Sequence, residues 1–152
     1  MNLRRLLLAL LFSVAVCWPF ASWAREQHLV LIASADAGIT PLSVVELRRL
    51  FLGLPVKRGG QFLVPVINRS SERSYQVFLQ AVMAMSDRSY HRQLLRRFYR
   101  SGIQPPAEIR DFDDLLAAVK RRPGAVTYVI RERLPDDPGI RVVQELWRGQ
   151  LR

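Results

Sequence analysis

Short apolar runs alternate along the chain with segments whose apolar residues recur at helical spacing. The apolar runs are rich in β-branched residues, which pack well on the pleated surface of a sheet, so they predict buried strands. Four strands are predicted, at residues 28–33, 62–67, 125–130 and 140–143. Pro65 lies inside the second run and favours an edge strand or a bulge there, because proline cannot donate a ladder hydrogen bond.

Four of the intervening segments predict helices, and a polar residue that can cap a helix precedes each of them. Ser43 and Glu46 have the spacing of a capping box, Ser86 and Asp111 are predicted caps, and the polar loop 68–71 precedes the remaining helix. A short tail helix is also predicted at residues 144–152. The residues predicted to face the core are Val44, Leu47, Leu50 and Phe51; Tyr75, Phe78, Leu79 and Val82; Leu94, Leu95 and Phe98; and Phe112, Leu115, Leu116 and Val119.

The N-terminal 24 residues have the pattern of a secretory signal peptide rather than of a folded element. Arg4 and Arg5 precede an apolar run at 6–16, and residues 22–24 (Ser-Trp-Ala) offer small residues where a signal peptidase cleaves. We therefore expect a signal peptide at 1–24, a mature domain at 25–152 and a periplasmic location. An uncleaved anchor is the less favoured alternative, as is lipidation at Cys17, because Val16 stands where lipoprotein processing wants a small residue.

The alternation of strands and helices indicates an α/β protein with a layered sheet. The predicted mature segment is long enough for one domain with its own core. It would carry 21 basic and 13 acidic residues, a surplus of eight positive charges. Such a surplus attracts anions, namely phosphate, nucleic acid or anionic lipid. Export makes nucleic acid the least expected of these partners.

The residue patterns of enzymes and metal sites are missing from the sequence. The single cysteine lies in the predicted signal peptide, and the two histidines, His28 and His91, have no metal-ligand spacing. Neither a nucleophile elbow nor a phosphate-binding glycine loop of the nucleotide-binding enzymes occurs. We therefore expect no enzyme activity, no metal and no cofactor.

The most informative local feature is the junction between the second strand and the helix that follows it. Arg69 and Ser70 fall in the loop, and Ser71 and Ser74 fall in the first turn of the helix. Backbone N–H groups at a helix start, serine hydroxyls and an arginine fork are all donors that suit a phosphate group. The same serines also fit a simple helix cap, and Glu72 in the same turn would repel an anion.

A second candidate is the arginine-rich helix that Ser86 precedes. Arg88, Arg92, Arg96, Arg97 and Arg100 are predicted to point outward from it. They would suit lipid headgroups or an acidic partner, and the alternative is that they only solvate the helix face.

Three segments, in this order, resemble the substrate-binding proteins of phosphate ABC transporters. Residues 46–53 (ELRRLFLG) resemble that family's "ELxxIFxG" helix, residues 65–71 (PVINRSS) stand where it has a strand and a serine-rich phosphate loop, and residues 123–129 (PGAVTYV) resemble its "PGAIGYV" strand. The resemblance covers roughly residues 29–129. It implies a type II periplasmic-binding-protein architecture, here a single three-layer lobe with a mixed sheet flanked by helices.

The resemblance implies a periplasmic protein that binds inorganic phosphate or another small anion for transport or sensing. Arg69, Ser70, Ser71 and Ser74 would form the site, and a membrane transporter or sensor would be the partner. The family clamps phosphate between two lobes, and this chain matches mainly the second. Arg73 also replaces a loop glycine and Glu72 a loop serine, so weak binding is expected. The alternative is an accessory or sensory module that docks to a membrane receptor or transporter with little or no ligand binding.

Overall fold

The computed structural model describes residues 26–150, so the predicted signal peptide lies outside the described residues. Within these residues seven strands and four α-helices follow one another, as one strand, one helix, three strands, two helices, one strand, one helix and two strands; they are numbered β1–β7 and α1–α4 in this order. The α/β class predicted from the alternation of apolar runs and helical stripes is therefore confirmed. None of the helices in this part of the chain is long and apolar enough to cross a membrane.

Five strands form one mixed sheet in the order β5-β4-β6-β1-β7. Strand β4 runs parallel to β5 and β6, whereas β1 runs antiparallel to both β6 and β7. The remaining strands, β2 and β3, form a small separate hairpin. The bounds are β1 Glu26–Ser34, β2 Lys57–Arg58, β3 Gln61–Phe62, β4 Val64–Asn68, β5 Ala107–Ile109, β6 Ala125–Ile130 and β7 Ile140–Gln150.

The helices are α1 Val44–Phe51, α2 Glu72–Val77, α3 Asp87–Ser101 and α4 Phe112–Arg121. A π-helical segment, Phe78–Met83, continues α2, and single 3₁₀ turns occupy Ala35–Ala37 and Arg131–Arg133. The predicted capping box is present at α1, where Ser43 and Glu46 satisfy each other's backbone N–H groups. Ser86 and Asp111 cap α3 and α4 as predicted.

Two apolar clusters on opposite faces of the sheet give the molecule three layers. Leu29, Leu31 and Ala33 of β1 face the cluster formed with α1, α2 and α3. Val30 and Ile32, which alternate with them, face the cluster formed with α4. Since successive strand side chains point to opposite faces, this fully buried run predicts helices on both sides, and both sides have them.

The C-terminal part differs from its prediction, because residues 144–150 continue β7 and do not form a helix. Strand β7 pairs with the whole of β1, from Ser34 opposite Ile140 to Glu26 opposite Gln150. Two bulges leave Val143 and Leu146 without a partner on β1. Each extra residue shifts the alternation of buried side chains, so the apolar residues of this strand lose the period of two.

Strand β4 also differs from its prediction, because it lies inside the sheet between β5 and β6 rather than at an edge. Strand β5 pairs with β4 only from Val66 onward, so pairing with β5 requires no backbone N–H from the preceding Pro65. On the other side Pro65 lies opposite Val126 of β6. The short length of β5 is what allows a proline in an interior strand.

Three residues predicted to face the core lie at the surface instead. Leu95 and Phe98 of α3 are 52% and 38% exposed, and Val44 at the start of α1 is 52% exposed. The buried side of α3 carries Tyr90 and Leu94, because the helix is rotated so that this side meets the core. The spacing of apolar residues predicts a buried stripe on α3, but it does not determine the rotation of the helix about its own axis.

Gly124 lies in the turn before β6, where substitution can test a close backbone contact. Its φ is +83°, and a Cβ there would lie 2.6 Å from the carbonyl oxygen of Phe62, because Val64 N donates to Gly124 O at 2.8 Å. Gly60 has a similar φ of +79° with open space around it, so it is the matched control. We expect Gly60→Ala to lower the free energy of unfolding by about 1–2 kcal/mol for the left-handed backbone. Gly124→Ala should cost at least about 1 kcal/mol more, because it also overpacks the turn. Equal costs in urea denaturation would contradict the close contact.

Candidate functional site

Asn68, the last residue of β4, holds the loop that leads into α2. Its side chain is buried, and its Nδ2 donates to the carbonyl oxygen of Tyr128 on β6 at 3.0 Å. The Tyr128 hydroxyl donates back to the carbonyl oxygen of Asn68 at 3.1 Å. The Asn68 Oδ1 accepts from the backbone N and the hydroxyl of Ser70, at 2.9 and 2.6 Å. One buried amide therefore fixes the loop to the sheet and shapes its first turn.

Arg69 follows Asn68 and lies against α2. Its backbone N donates to the carbonyl oxygen of Ile109 at 2.8 Å, and its guanidinium lies 3.9 Å from the ring centre of Tyr75, a cation–π contact. Nη2 is 3.7 Å from the carboxylate of Glu72, a distance too long for a hydrogen bond. Nη1 is buried and has no acceptor among the described residues. The guanidinium therefore has hydrogen-bonding capacity that its neighbours leave unused.

The three serines of the predicted site have different environments. Ser70 donates its hydroxyl to Asn68, and Ser71 caps α2, its Oγ accepting from Ser74 N at 3.3 Å. Ser74 is only 1% exposed, one turn into the helix. The structure thus brings Arg69, Ser70 and Ser71 together in one loop and turns Ser74 inward beneath it. The Ser71 hydroxyl, which accepts as a cap, still has its proton to donate.

Carboxylates border this loop. Glu72 occupies the first turn of α2, and Asp87 at the start of α3 accepts from the hydroxyl of Tyr75 at 2.6 Å. His91 lies 3.1 Å from Asp87 through Nδ1 and 3.9 Å from Glu108 of β5 through Nε2. An anion at Arg69 would therefore meet a positive group with carboxylates nearby.

The pKa of Tyr75 lies above its usual value. Burial is the largest cause, the hydrogen bond to Asp87 adds to it, and the nearby cation of Arg69 acts in the opposite direction. Burial also raises the pKa of Tyr90 and of Tyr128. Phe78 joins the last two of these rings, since it stacks on Tyr128 at 3.9 Å and meets Tyr90 edge to face. The floor beneath Arg69 is thus an aromatic cluster whose hydroxyls stay neutral.

Two cavities lie beside α2 and α3, but neither is lined by Arg69 or by the three serines of the predicted site. One of about 550 Å³ lies between α2 and the end of β7, with Arg73, Gln76, Gln80 and Trp147 among its lining. One of about 270 Å³ lies along α3 and is lined by Gln93, Arg96, Arg97, Arg100 and Ser101. Within residues 26–150, no group of three or more histidine, cysteine, aspartate or glutamate side chains is placed to hold a metal ion.

The sequence pattern indicates no role in the candidate site for Asn68 or Tyr75. An asparagine directly before a polar helix start is a local signal for a side-chain-stabilised turn, so the role of Asn68 could have been suspected. Tyr75 was assigned to the core stripe, where its ring does lie. The contact of this ring with Arg69 depends on the path of the loop, and the spacing of residues along the sequence does not determine that path.

The fold of this chain is similar to that of proteins of known structure. No protein-family model matches the chain, and no curated protein matches it either. Solved structures do. An ABC-type phosphate transport receptor from Vibrio cholerae has a TM-score of 0.59 at 13% identity, covering 80% of this chain and 47% of its own. A putative phosphate ABC transporter substrate-binding protein from Clostridium perfringens, with bound phosphate, has a TM-score of 0.58 at 12% identity, covering 80% and 46%.

This chain has the periplasmic-binding-protein fold. PstS from Borrelia burgdorferi is similar at a TM-score of 0.50 and 14% identity, over 70% of this chain and 41% of its own. The architecture that the segments 46–53, 65–71 and 123–129 implied is therefore confirmed. At these identities the likeness establishes the fold and not the ligand. The chain spans about half the length of the solved structures it matches.

The buried phenols predict that stability is lost in alkali. In the folded chain Tyr75, Tyr90 and Tyr128 stay protonated above pH 10, whereas the same groups ionise near their ordinary pKa once the chain unfolds. The unfolded state then binds fewer protons, so the free energy of unfolding must fall as the pH rises above about 10. We expect the phenolate absorbance of these three residues to appear in one step together with the loss of circular dichroism.

Tyr75→Phe provides the internal control for this experiment. It should reduce the cooperative absorbance step by about one third, since one of three buried phenols is removed. Phenolate absorbance that develops fully while the circular dichroism is unchanged would contradict the burial of these groups.

Proposed function

We propose that this protein is an exported, periplasmic substrate-binding-like protein that takes up phosphate or a related small anion at Arg69, Ser70 and Ser71, with Ser74 supporting the loop from below. The signal-peptide pattern of residues 1–24 supports export. The fold supports the binding role, since similar structures are phosphate transport receptors and substrate-binding proteins. In this proposal the chain performs no chemical step on its ligand.

The observation that carries the proposal is the buried Nη1 group of Arg69, which has no acceptor among the described residues. A buried N–H without an acceptor costs free energy, and an anion that accepts from it would remove that cost. The guanidinium fork matches two oxygens of a phosphate group, and the Ser71 hydroxyl has a proton to donate in the same loop. The Asn68 hydrogen bonds hold that loop in place before any ligand arrives, which lowers the entropy lost on binding.

The same geometry argues for weak binding. The two cavities described above are lined by other residues, so an anion at this loop would stay largely in contact with water, where Coulomb attraction is small. Glu72 competes for Arg69 and repels an anion from the same turn. A second copy of the chain or a membrane partner that covers the loop would exclude water and strengthen the interaction.

The second candidate is an accessory or sensory module that docks to a membrane receptor or transporter with little or no ligand binding. The observations that favour it are the hydroxyl of Ser70, which is already engaged by Asn68, and the inward position of Ser74. Under this alternative the Arg69 loop is a structural feature of the fold and the partner is a protein.

Titration calorimetry with phosphate, and separately with sulfate as the control anion, distinguishes the two candidate functions. The chain from residue 25 to 152 is suitable, because both apolar clusters and all strands of the described sheet lie within 26–150. We expect saturable, phosphate-selective heat. Arg69→Ala should weaken the phosphate affinity by about tenfold, since a hydrogen bond to a charged group contributes about 1.5–3 kcal/mol.

Arg73→Ala is the matched control, because it removes the same charge from the exposed side of the same helix turn. It should leave the phosphate affinity within a factor of about two. Equal losses in the two variants would mean that phosphate is attracted by net charge alone and would remove the Arg69 site. Absence of heat with either anion would exclude the binding role and favour the docking module.

A further inference from the structure

Helix α3 carries a dense group of arginines that the folded chain leaves unpaired. They are Arg88, Arg92, Arg96, Arg97 and Arg100, and the single acid of the helix is Asp87 at its first position. Across residues 26–150, no carboxylate forms an ion pair with any of the five. Five mutually repelling cations on one helix lower its stability unless another group neutralises them.

The helix dipole accounts for only part of this pattern. Arginine in the last turn, such as Arg100, stabilises the negative end of a helix. Arg88 is in the first turn, where a cation is unfavourable, and Arg92 lies in the middle, where the dipole has little effect. A requirement outside the helix explains these positions better.

Apolar side chains lie exposed on the same helix. Leu95, Phe98 and Tyr99 are 52%, 38% and 80% exposed, and the rings of Phe98 and Tyr99 meet edge to face with centres 5.4 Å apart. Leu95 and Tyr99 are one turn apart, which places them beside the row formed by Arg88, Arg92 and Arg96. A helix that faced only water would gain nothing from exposing three large apolar side chains next to its cations.

The last two turns of α3 also line a hollow of about 270 Å³. Arg96, Arg97 and Arg100 surround it together with Gln93 and Ser101. Three guanidinium groups around one hollow offer paired N–H donors to the oxygens of a phosphate group. Helix α3 therefore carries exposed apolar side chains beside a row of cations, and a recess lined by three arginines lies on its flank.

We propose that α3 is a docking surface for a membrane that contains anionic phospholipid. Leu95, Phe98 and Tyr99 enter the headgroup region, the row of arginines lies along the negative surface, and the hollow takes one lipid phosphate. Aromatic residues favour the headgroup level, and basic residues are drawn to anionic lipid. A membrane also accounts for the exposed Leu95, Phe98 and Tyr99 beside these cations, which charge complementarity with an acidic protein would not require.

Such docking would orient the candidate anion site. Asp87, the first residue of α3, accepts from the hydroxyl of Tyr75, on whose ring Arg69 lies. A protein held by α3 would therefore present the Arg69 loop beside the membrane, where a transporter or sensor could cover it.

Vesicle co-sedimentation of residues 25–152 tests the proposal, with vesicles of phosphatidylcholine alone and of phosphatidylcholine mixed with phosphatidylglycerol. We expect binding to the mixed vesicles only, weakened by salt because the attraction is electrostatic. The triple variant Arg92→Gln, Arg96→Gln, Arg100→Gln should bind them at least about tenfold more weakly. The double variant Leu95→Ser, Tyr99→Ser should also bind more weakly, because the apolar contact is lost.

The matched control is the triple variant Arg121→Gln, Arg122→Gln, Arg131→Gln, which removes the same charge from exposed positions outside α3. It should bind mixed vesicles about as well as the unaltered chain. Equal losses in the two triple variants would overturn the proposal, as would equal binding to neutral and mixed vesicles. Failure to bind any vesicle would also overturn it and would leave an acidic protein as the partner of α3. All four proteins should have the same circular dichroism, since every altered side chain is at the surface.

Discussion

The burial of β1 on both of its faces is the constraint on which the rest of the structure depends. Residues 29–33 have no exposed surface, so their side chains need apolar partners above and below the sheet and their backbone groups need partners on both sides. Strands β6 and β7 supply the backbone partners, α1 to α3 cover one face, and α4 covers the other. The three layers and the long C-terminal strand both follow from this requirement.

The candidate site inherits its rigidity from the same sheet. Asn68 bonds to Tyr128 of β6, and Tyr128 lies in the aromatic cluster that also supports the loop from below. The loop is thus held by buried hydrogen bonds, while Arg69 at its surface remains only loosely paired. A rigid frame with one unsatisfied cation is the arrangement that the proposed anion binding requires, and the carboxylates around it would weaken such binding.

Helix α3 packs on the core with one side and leaves its other side exposed. Tyr90 and Leu94 anchor the helix, and the Tyr90 hydroxyl donates to the carbonyl oxygen of Phe51 at 2.6 Å. The opposite side is then free to carry arginines and apolar side chains that the core does not use. Asp87 at the start of α3 accepts from the hydroxyl of Tyr75, and the ring of Tyr75 lies against Arg69. An interaction at α3 and an anion at Arg69 would therefore act on neighbouring parts of one structure.

Local patterns in the sequence determined the strands at 28–33 and 125–130, the caps at Ser43, Ser86 and Asp111, and the loop that holds Arg69, Ser70 and Ser71. Each of these depends on contacts within a few residues of the chain or on a continuous apolar run. The tertiary structure alone decided the continuation of β7 over residues 144–150, the interior position of β4, the exposure of Leu95 and Phe98, and the contact of Arg69 with Tyr75. These features depend on which distant segments pair and at what angle a helix meets the sheet, and the spacing of residues along one segment contains neither quantity.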